Sequence, residues 1–190
     1  MEIPLNAPIV YVSFSAEINP ITTESLIAVM SDCINKNVQK VYLLLSTPGG
    51  RVMNGLNIYN FLCGVPFELT THNIGNVDSI GNAIFLAGKI RYASPQATFM
   101  FHGVGFDLNQ NLRFEEKNLS EMLDSILSDQ KRIGAIICKH TKISDNEMQE
   151  LFRNAQTKDV SFAIDKGIIN EIRDVQIPAG VPVISLVFKR

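Results

Sequence analysis

Cysteine is scarce: Cys33, Cys63 and Cys138 are the only three, and they stand far apart in the chain. None belongs to a C-x-x-C pair, so neither a zinc site nor a disulfide framework is indicated, and a reducing, cytoplasmic setting is the expectation. Basic clusters are missing too. Seventeen Lys and Arg against nineteen Asp and Glu leave a net charge of −2, which argues against nucleic acid as the main partner. No apolar run reaches the roughly 20 residues that span a bilayer, so no membrane association is expected. The start, Met1-Glu-Ile-Pro-Leu5, has no basic region followed by an apolar core, and no signal peptide is expected. Internal repeats and low-complexity linkers are absent. What remains is a chain of 190 residues, 46% hydrophobic and 19% charged. Those proportions fit one globular domain over residues 1–190 with a sizeable core.

Strand-like and helix-like stretches alternate. Ile9 to Phe14, Val41 to Leu45 and Phe67 to Ile74 are apolar runs of strand length, the middle one near-continuous as in a parallel sheet buried on both faces. Between them lie two helical patterns. One follows Asn19-Pro-Ile-Thr-Thr-Glu24, where Thr22 or Thr23 can cap, and carries Leu26, Ile27, Met30 and Ile34. The other places Val52, Leu56, Ile58, Tyr59 and Leu62 on a buried side. Short strands are expected at Ile90 to Ala93 and Thr98 to Phe101, around the turn Ser94-Pro-Gln96. From about Glu115 to His140 the residues Leu119, Met122, Leu123, Ile126, Leu127 and Ile133 recur at helical spacing. A helix of that length in a small chain often projects from the body. Ser144-Asp-Asn-Glu147 caps a helix over Glu147 to Phe152, and Asp159 or Ser161 opens one that ends at Gly167. The tail from Val175 to Arg190 contains a strand-like Val183 to Phe188. The alternation predicts an α/β fold with right-handed crossovers.

One stretch concentrates the chemistry, Gly75-Asn-Val-Asp-Ser-Ile-Gly81. Ser79 falls between a strand and a buried helix. If it opens that helix, the N–H of Ile80 is free to face an oxyanion formed on a carbonyl that Ser79 attacks. The alternative is a serine that only caps the helix. Ser46-Thr-Pro-Gly-Gly50 directly follows a buried strand, where α/β proteins bind ligands, and Gly50 N–H is a second candidate oxyanion donor. The alternative there is a plain tight turn. His102 ends a strand and is the best-placed base for Ser79. His72 lies within a strand, and His140 ends the long helix, where a cation suits the dipole, so both read as structural.

Taken in order, Ser46-Thr-Pro-Gly-Gly50, Gly75-Asn-Val-Asp-Ser79-Ile-Gly81, Phe99-Met-Phe-His102 and Ala163-Ile-Asp-Lys-Gly167-Ile-Ile-Asn-Glu-Ile172 resemble the proteolytic subunit of the Clp protease. That family shows a Ser-Pro-Gly-Gly loop, a Gly-Gln-Ala-Ala-Ser-Met-Gly nucleophile segment, a Met-Ile-His strand end and a terminal Glu-Ala-x-x-x-Gly-Leu-x-Asp. The likeness runs from about Ile9 to Ile172. It implies a ClpP/crotonase-type fold of repeated β-β-α units, with a handle helix in the segment 106–140 through which two rings stack. It implies a serine endopeptidase acting on peptides or unfolded polypeptides as a homo-oligomeric ring, without metal or other cofactor. Ser79 carries over as nucleophile, His102 as base, and Gly50 and Ile80 as oxyanion-hole amides.

Three departures qualify this. The family's triad aspartate falls at Ala155, with Asn154 beside it; Asn154 is the candidate to orient His102 in its place. Asp78 replaces a small residue before the nucleophile, where a carboxylate either opposes the oxyanion or partners His102. Only Met1 to Pro8 precede the first strand, shorter than the family segment that meets the Clp ATPase, so action without such an ATPase is the expectation. Two rival readings stay open. One is a non-catalytic subunit that keeps the fold and the oligomer. The other is an acyl-CoA enzyme of the crotonase type, which leaves the pairing of Ser79 with His102 unexplained.

Overall fold

The computed structural model describes residues 2–106 and 113–188. Strand β1 (Val10–Ser15) is followed by helix α1 (Pro20–Asn35), β2 (Lys40–Thr47), α2 (Val52–Cys63) and β3 (Glu68–Asp78). Then come α3 (Gly81–Leu86), β4 (Ile90–Ala93), β5 (Thr98–Phe101), α4 (Glu116–His140) and α5 (Asp145–Asn154). The chain continues through β6 (Gln156–Lys158), α6 (Val160–Asp165), β7 (Glu171–Ile172) and β8 (Val183–Leu186). All eight strands join one sheet with the spatial order β6-β5-β3-β2-β1-β8, and β4 and β7 branch from β3. Among the described residues only β5 and β6 pair antiparallel; β1, β2 and β3 run parallel, as crossover helices require. The parallel strands are buried on both faces, and Phe14, Leu43, Leu45, Leu69 and Phe99 are at most 1% exposed. Each such side chain stabilises the fold by about 1.5–3 kcal/mol relative to exposure.

The longest strand organises the site. β3 pairs through Thr70–Asn73 with β4 and through Asn76–Asp78 with β5. It was expected to stop at Ile74, before Gly75. Instead the side chain of Asn73 bridges the glycine: its Oδ1 accepts from Gly75 N at 3.0 Å and its Nδ2 donates to Thr98 O at 2.8 Å. Beyond a register shift in β2, Thr47 pairs with Val77, so the strand runs to the residue before Ser79.

The other differences are local. Asn19, rather than Thr22 or Thr23, caps α1, and Thr22 is its reciprocal partner in a capping box. Asp159 caps α6 by accepting from Phe162 N at 2.9 Å, and Gly167 is left-handed at φ 68°. α5 is a turn longer than expected, from Asp145 to Asn154. The tail forms β8, an edge strand parallel to β1. The strands β6 and β7 were not expected; three and two residues are too short for a periodic signal.

α4 holds 25 residues, which makes it about 37 Å long. Its buried residues, Ile133 and Ile137, both lie in the second half. Leu119, Leu123 and Leu127, spaced four apart on one face of the first half, are each more than half exposed. Residues 107–112 of the expected handle segment lie outside the described residues. His140, at the end of α4, is not the expected dipole partner. Its Nε2 lies 2.9 Å from Tyr59 Oη, and burial together with the nearby Arg91 lowers its pKa. Arg91 supplies the cation instead, donating to His140 O at 3.3 Å and to Gly167 O and Ile168 O. Among the described residues no helix is long and apolar enough to cross a membrane.

Candidate active site

Ser79 occupies the corner between β3 and α3 with left-handed backbone, φ 57°. A β-carbon in that region costs roughly 1–2 kcal/mol. Neighbouring groups hold the corner. Ser79 N donates to Met100 O on β5 at 2.9 Å. Asn82, 2% exposed, donates its Nδ2 to Ser79 O at 3.1 Å and to Met100 O at 2.8 Å. The helix itself begins at Gly81 with Ile80 as its cap residue, so Ser79 stands one position ahead of the cap and is not the capping serine the sequence allowed.

The Thr47–Gly50 loop lies against this corner. Gly49 and Gly50 have φ of 85° and 143°, conformations that side chains rarely adopt. A β-carbon on Gly49 would stand 2.7 Å from Ser79 Cβ and 3.3 Å from its Oγ, so only glycine lets the loop approach this closely. Gly50 is anchored to the segment before α1: Ile18 N donates to Gly49 O at 2.7 Å and Arg51 N to Ile18 O at 2.8 Å. Neither Gly50 N–H nor Ile80 N–H donates to an acceptor among the described residues. Gly50 follows the residue that presses on Ser79, and Ile80 follows Ser79 itself, so both N–H groups adjoin the contact between loop and serine.

His102 directly follows β5, the strand whose Met100 carbonyl receives Ser79 N–H. Its Nδ1 lies 2.8 Å from Gly103 O. A carbonyl only accepts, so Nδ1 carries the proton and a neutral ring has its lone pair on Nε2. Gly103 is held in turn by its own N–H on Phe152 O at 3.0 Å, and a β-carbon there would meet Gln130 Oε1 at 2.8 Å. Among the described residues no hydrogen bond joins Ser79 Oγ to His102. Asn154 ends α5 with an exposed side chain and makes no hydrogen bond to His102; Ala155 follows in left-handed backbone, φ 46°. The nitrogen expected to contact a side chain is bonded to the neighbouring backbone carbonyl.

Asp78 is half-buried on the face of β3 that also carries Asn76. Asn76 Nδ2 donates to its Oδ2 at 2.6 Å, and Asn76 accepts from Ser46 Oγ at 3.0 Å. Burial raises the pKa of Asp78; Asn76, the charge of His102 and the Met100 N–H act in the other direction. Asn82, Asn76 and Gly103 were not singled out in the sequence. Each acts through a contact 18 to 49 residues distant or through its backbone, and neither leaves a local pattern.

A cavity of about 850 Å³ opens between α4 and α5, lined in part by Leu127, Gly134, Met148 and Phe152. Gln130 and Phe152 both line it and both bear on Gly103, the residue after the histidine.

The backbone matches that of a mutant of ClpP1 from Listeria monocytogenes, with a TM-score of 0.78 and 21% identity over 87% of this chain and 92% of that one. At that identity the likeness concerns the fold, which is that of a ClpP-type peptidase. A model of the Clp protease family matches residues 9–176, and the chain belongs to that family.

Proposed function

We propose that the protein is a serine peptidase that hydrolyses peptides or unfolded polypeptides, with Ser79 as nucleophile and His102 as base. The observation that carries this is the corner at Ser79. A non-glycine residue is held left-handed against the left-handed Gly49, and the N–H groups of the next residues along each segment, Gly50 and Ile80, have no acceptor among the described residues. Backbone strain of that kind collects at functional sites.

Ser79 Oγ attacks the substrate carbonyl carbon and its proton passes to His102 Nε2. The carbonyl oxygen becomes an oxyanion between Gly50 N–H and Ile80 N–H. When the C–N bond breaks, the leaving amine takes the proton from His102 and an acyl ester remains on Ser79. Water then attacks the ester, giving its proton to His102, and Ser79 recovers it as the acid leaves. Substrate binds as an added strand beside the Gly50 loop or the segment after His102. The exposed leucines of α4 form a self-association surface, in keeping with a ring-forming family.

A second reading, a subunit without activity, draws on the unmade hydrogen bond between Ser79 and His102 and on Ala155 at the acid's position. An alkyl fluorophosphonate separates the two. On the first reading Ser79 Oγ displaces fluoride from phosphorus, the intact protein gains the mass of one adduct, and Ser79→Ala gains none. Casein-derived peptides should be cleaved by the wild type and not by that variant. A wild type that takes no label and cleaves nothing would establish the second reading.

A further inference from the structure

We propose that Asp78 is a positioning residue for His102, supplying from β3 the negative charge that Ala155 cannot, while Gly103 O fixes the ring. This rests on the peptidase reading above. The β-ladder supplies the geometry. Asn76 pairs with Thr98 and Asp78 with Met100 in parallel register, and partners in such a ladder project to the same face. His102 lies two residues beyond Met100, directly after the end of β5. The charge of His102 acts on Asp78, which places the two groups near each other at the end of the ladder.

The carboxylate is also built in. Asn76 holds Oδ2 at 2.6 Å, and Asn76 is itself fixed by Ser46 Oγ at 3.0 Å and Thr47 O at 3.2 Å. The Met100 N–H acts on the same carboxylate, and so does the charge of His102. The roles of a triad acid are thereby divided. Orientation and tautomer come from the backbone carbonyl at 2.8 Å, and charge comes from the residue that precedes the nucleophile. When Nε2 takes the serine proton the ring becomes a cation, and a carboxylate across the ladder lowers the energy of that state.

Other charged groups on the surrounding elements are engaged elsewhere. Lys158 of β6 lies over the Phe162 ring at 4.9 Å, Arg132 of α4 pairs with Asp129 at 3.0 Å, and Asp159 caps α6. Lys131 and Arg153 line the cavity between α4 and α5, and Arg51 is exposed at the head of α2.

The test is the rate of Ser79 labelling by a tagged alkyl fluorophosphonate, as a function of pH, for wild type, Asp78→Asn, Asp78→Glu and Ser79→Ala. Asparagine keeps the shape and can still accept from Asn76, so the fold should survive; thermal unfolding checks that. The expected result is labelling about tenfold slower in Asp78→Asn at neutral pH, with part of the rate restored by glutamate. The ratio of wild-type to Asp78→Asn rates should fall toward one as pH drops and the Asp78 carboxyl takes up a proton. A merely structural role gives a ratio independent of pH. A constant ratio, an equal rate or a faster Asp78→Asn overturns the inference while wild-type labelling at Ser79 leaves the peptidase reading standing. A wild type labelled nowhere, or labelled equally in Ser79→Ala, removes the peptidase reading and this inference with it.

Discussion

His72 sets a pH limit on this fold that can be worked from its surroundings. It is fully buried on β3, with Nδ1 2.8 Å from Tyr42 Oη and Nε2 3.3 Å from Ser94 Oγ. Tyr42 and Tyr92 lie against it, and Arg173 stacks on Tyr92 at 4.7 Å. Burial is the main reason its pKa falls from 6.5 to about 4. Below pH 6.5 the unfolded chain binds a proton here that the folded chain refuses. Stability therefore rises with pH across this window, and the loss builds as pH falls from 6.5 to about 4. At about 1.4 kcal/mol for each pH unit the full loss comes to about 3 kcal/mol. His140, also lowered, adds to the same trend, and the raised Asp78 opposes it. Comparison with His72→Asn removes those contributions. Urea unfolding should find the variant less stable near neutral pH, where it has lost packing. The gap should close by about 2–3 kcal/mol by about pH 4.5. A gap that stays the same within about 0.5 kcal/mol over that range would refute the assignment of a buried neutral histidine.

Two further perturbations probe the candidate site and α4. Gly50→Ala forces a β-carbon into Ile18 O at a φ of 143°, so the loop must move and carry its N–H away. Loss of one oxyanion donor should lower kcat by about 10²–10³ with KM little changed, and an activity within about threefold of wild type would remove Gly50 from the hole. Replacing Leu119, Leu123 and Leu127 together by serine should leave the monomer folded and dissociate the assembly in analytical ultracentrifugation; a wild type that sediments only at 21.1 kDa would instead show that the stripe is not an interface.

The sequence was most legible where one residue type answers to one local requirement. Apolar runs marked β1 and β2, and two adjacent glycines marked the loop that reaches Ser79. The long apolar period marked α4 to within one residue of its start. It was least legible where a side chain from elsewhere overrules the local signal. Gly75 reads as the end of a strand, yet Asn73 and the pairing of Thr47 with Val77 carry β3 four residues past Ile74. His140 reads as a helix-end cation, yet Tyr59 and Arg91 take that role away. The nucleophile and base candidates could be named from their strand-end positions. That Gly103 O would orient His102 could not, because a backbone carbonyl is common to every residue.

The left-handed residues bear on whether the site is kept for chemistry. Among the described residues four non-glycine residues have positive φ: Asn6, Asn37, Ser79 and Ala155. Asparagine tolerates this region because its short amide bonds to the local backbone, so the first two are ordinary turn residues. Serine and alanine have no such relief. Both costly positions belong to the candidate site, one at the proposed nucleophile and one at the position where the resemblance places the acid. At Ser79 asparagine or glycine would ease the strain and preserve the turn, but either would remove the hydroxyl. A chain kept only as a scaffold gains stability from that exchange and loses nothing. A strained serine, with Asn82 binding its carbonyl and Gly49 pressed to its side, is the arrangement the proposed nucleophile calls for. At Ala155 no side chain remains to repay the strain. On the proposal above, the acid's role falls to the Gly103 carbonyl, which holds His102 Nδ1, and to the Asp78 carboxylate, and the pH dependence of the Asp78→Asn variant measures how much of it they carry.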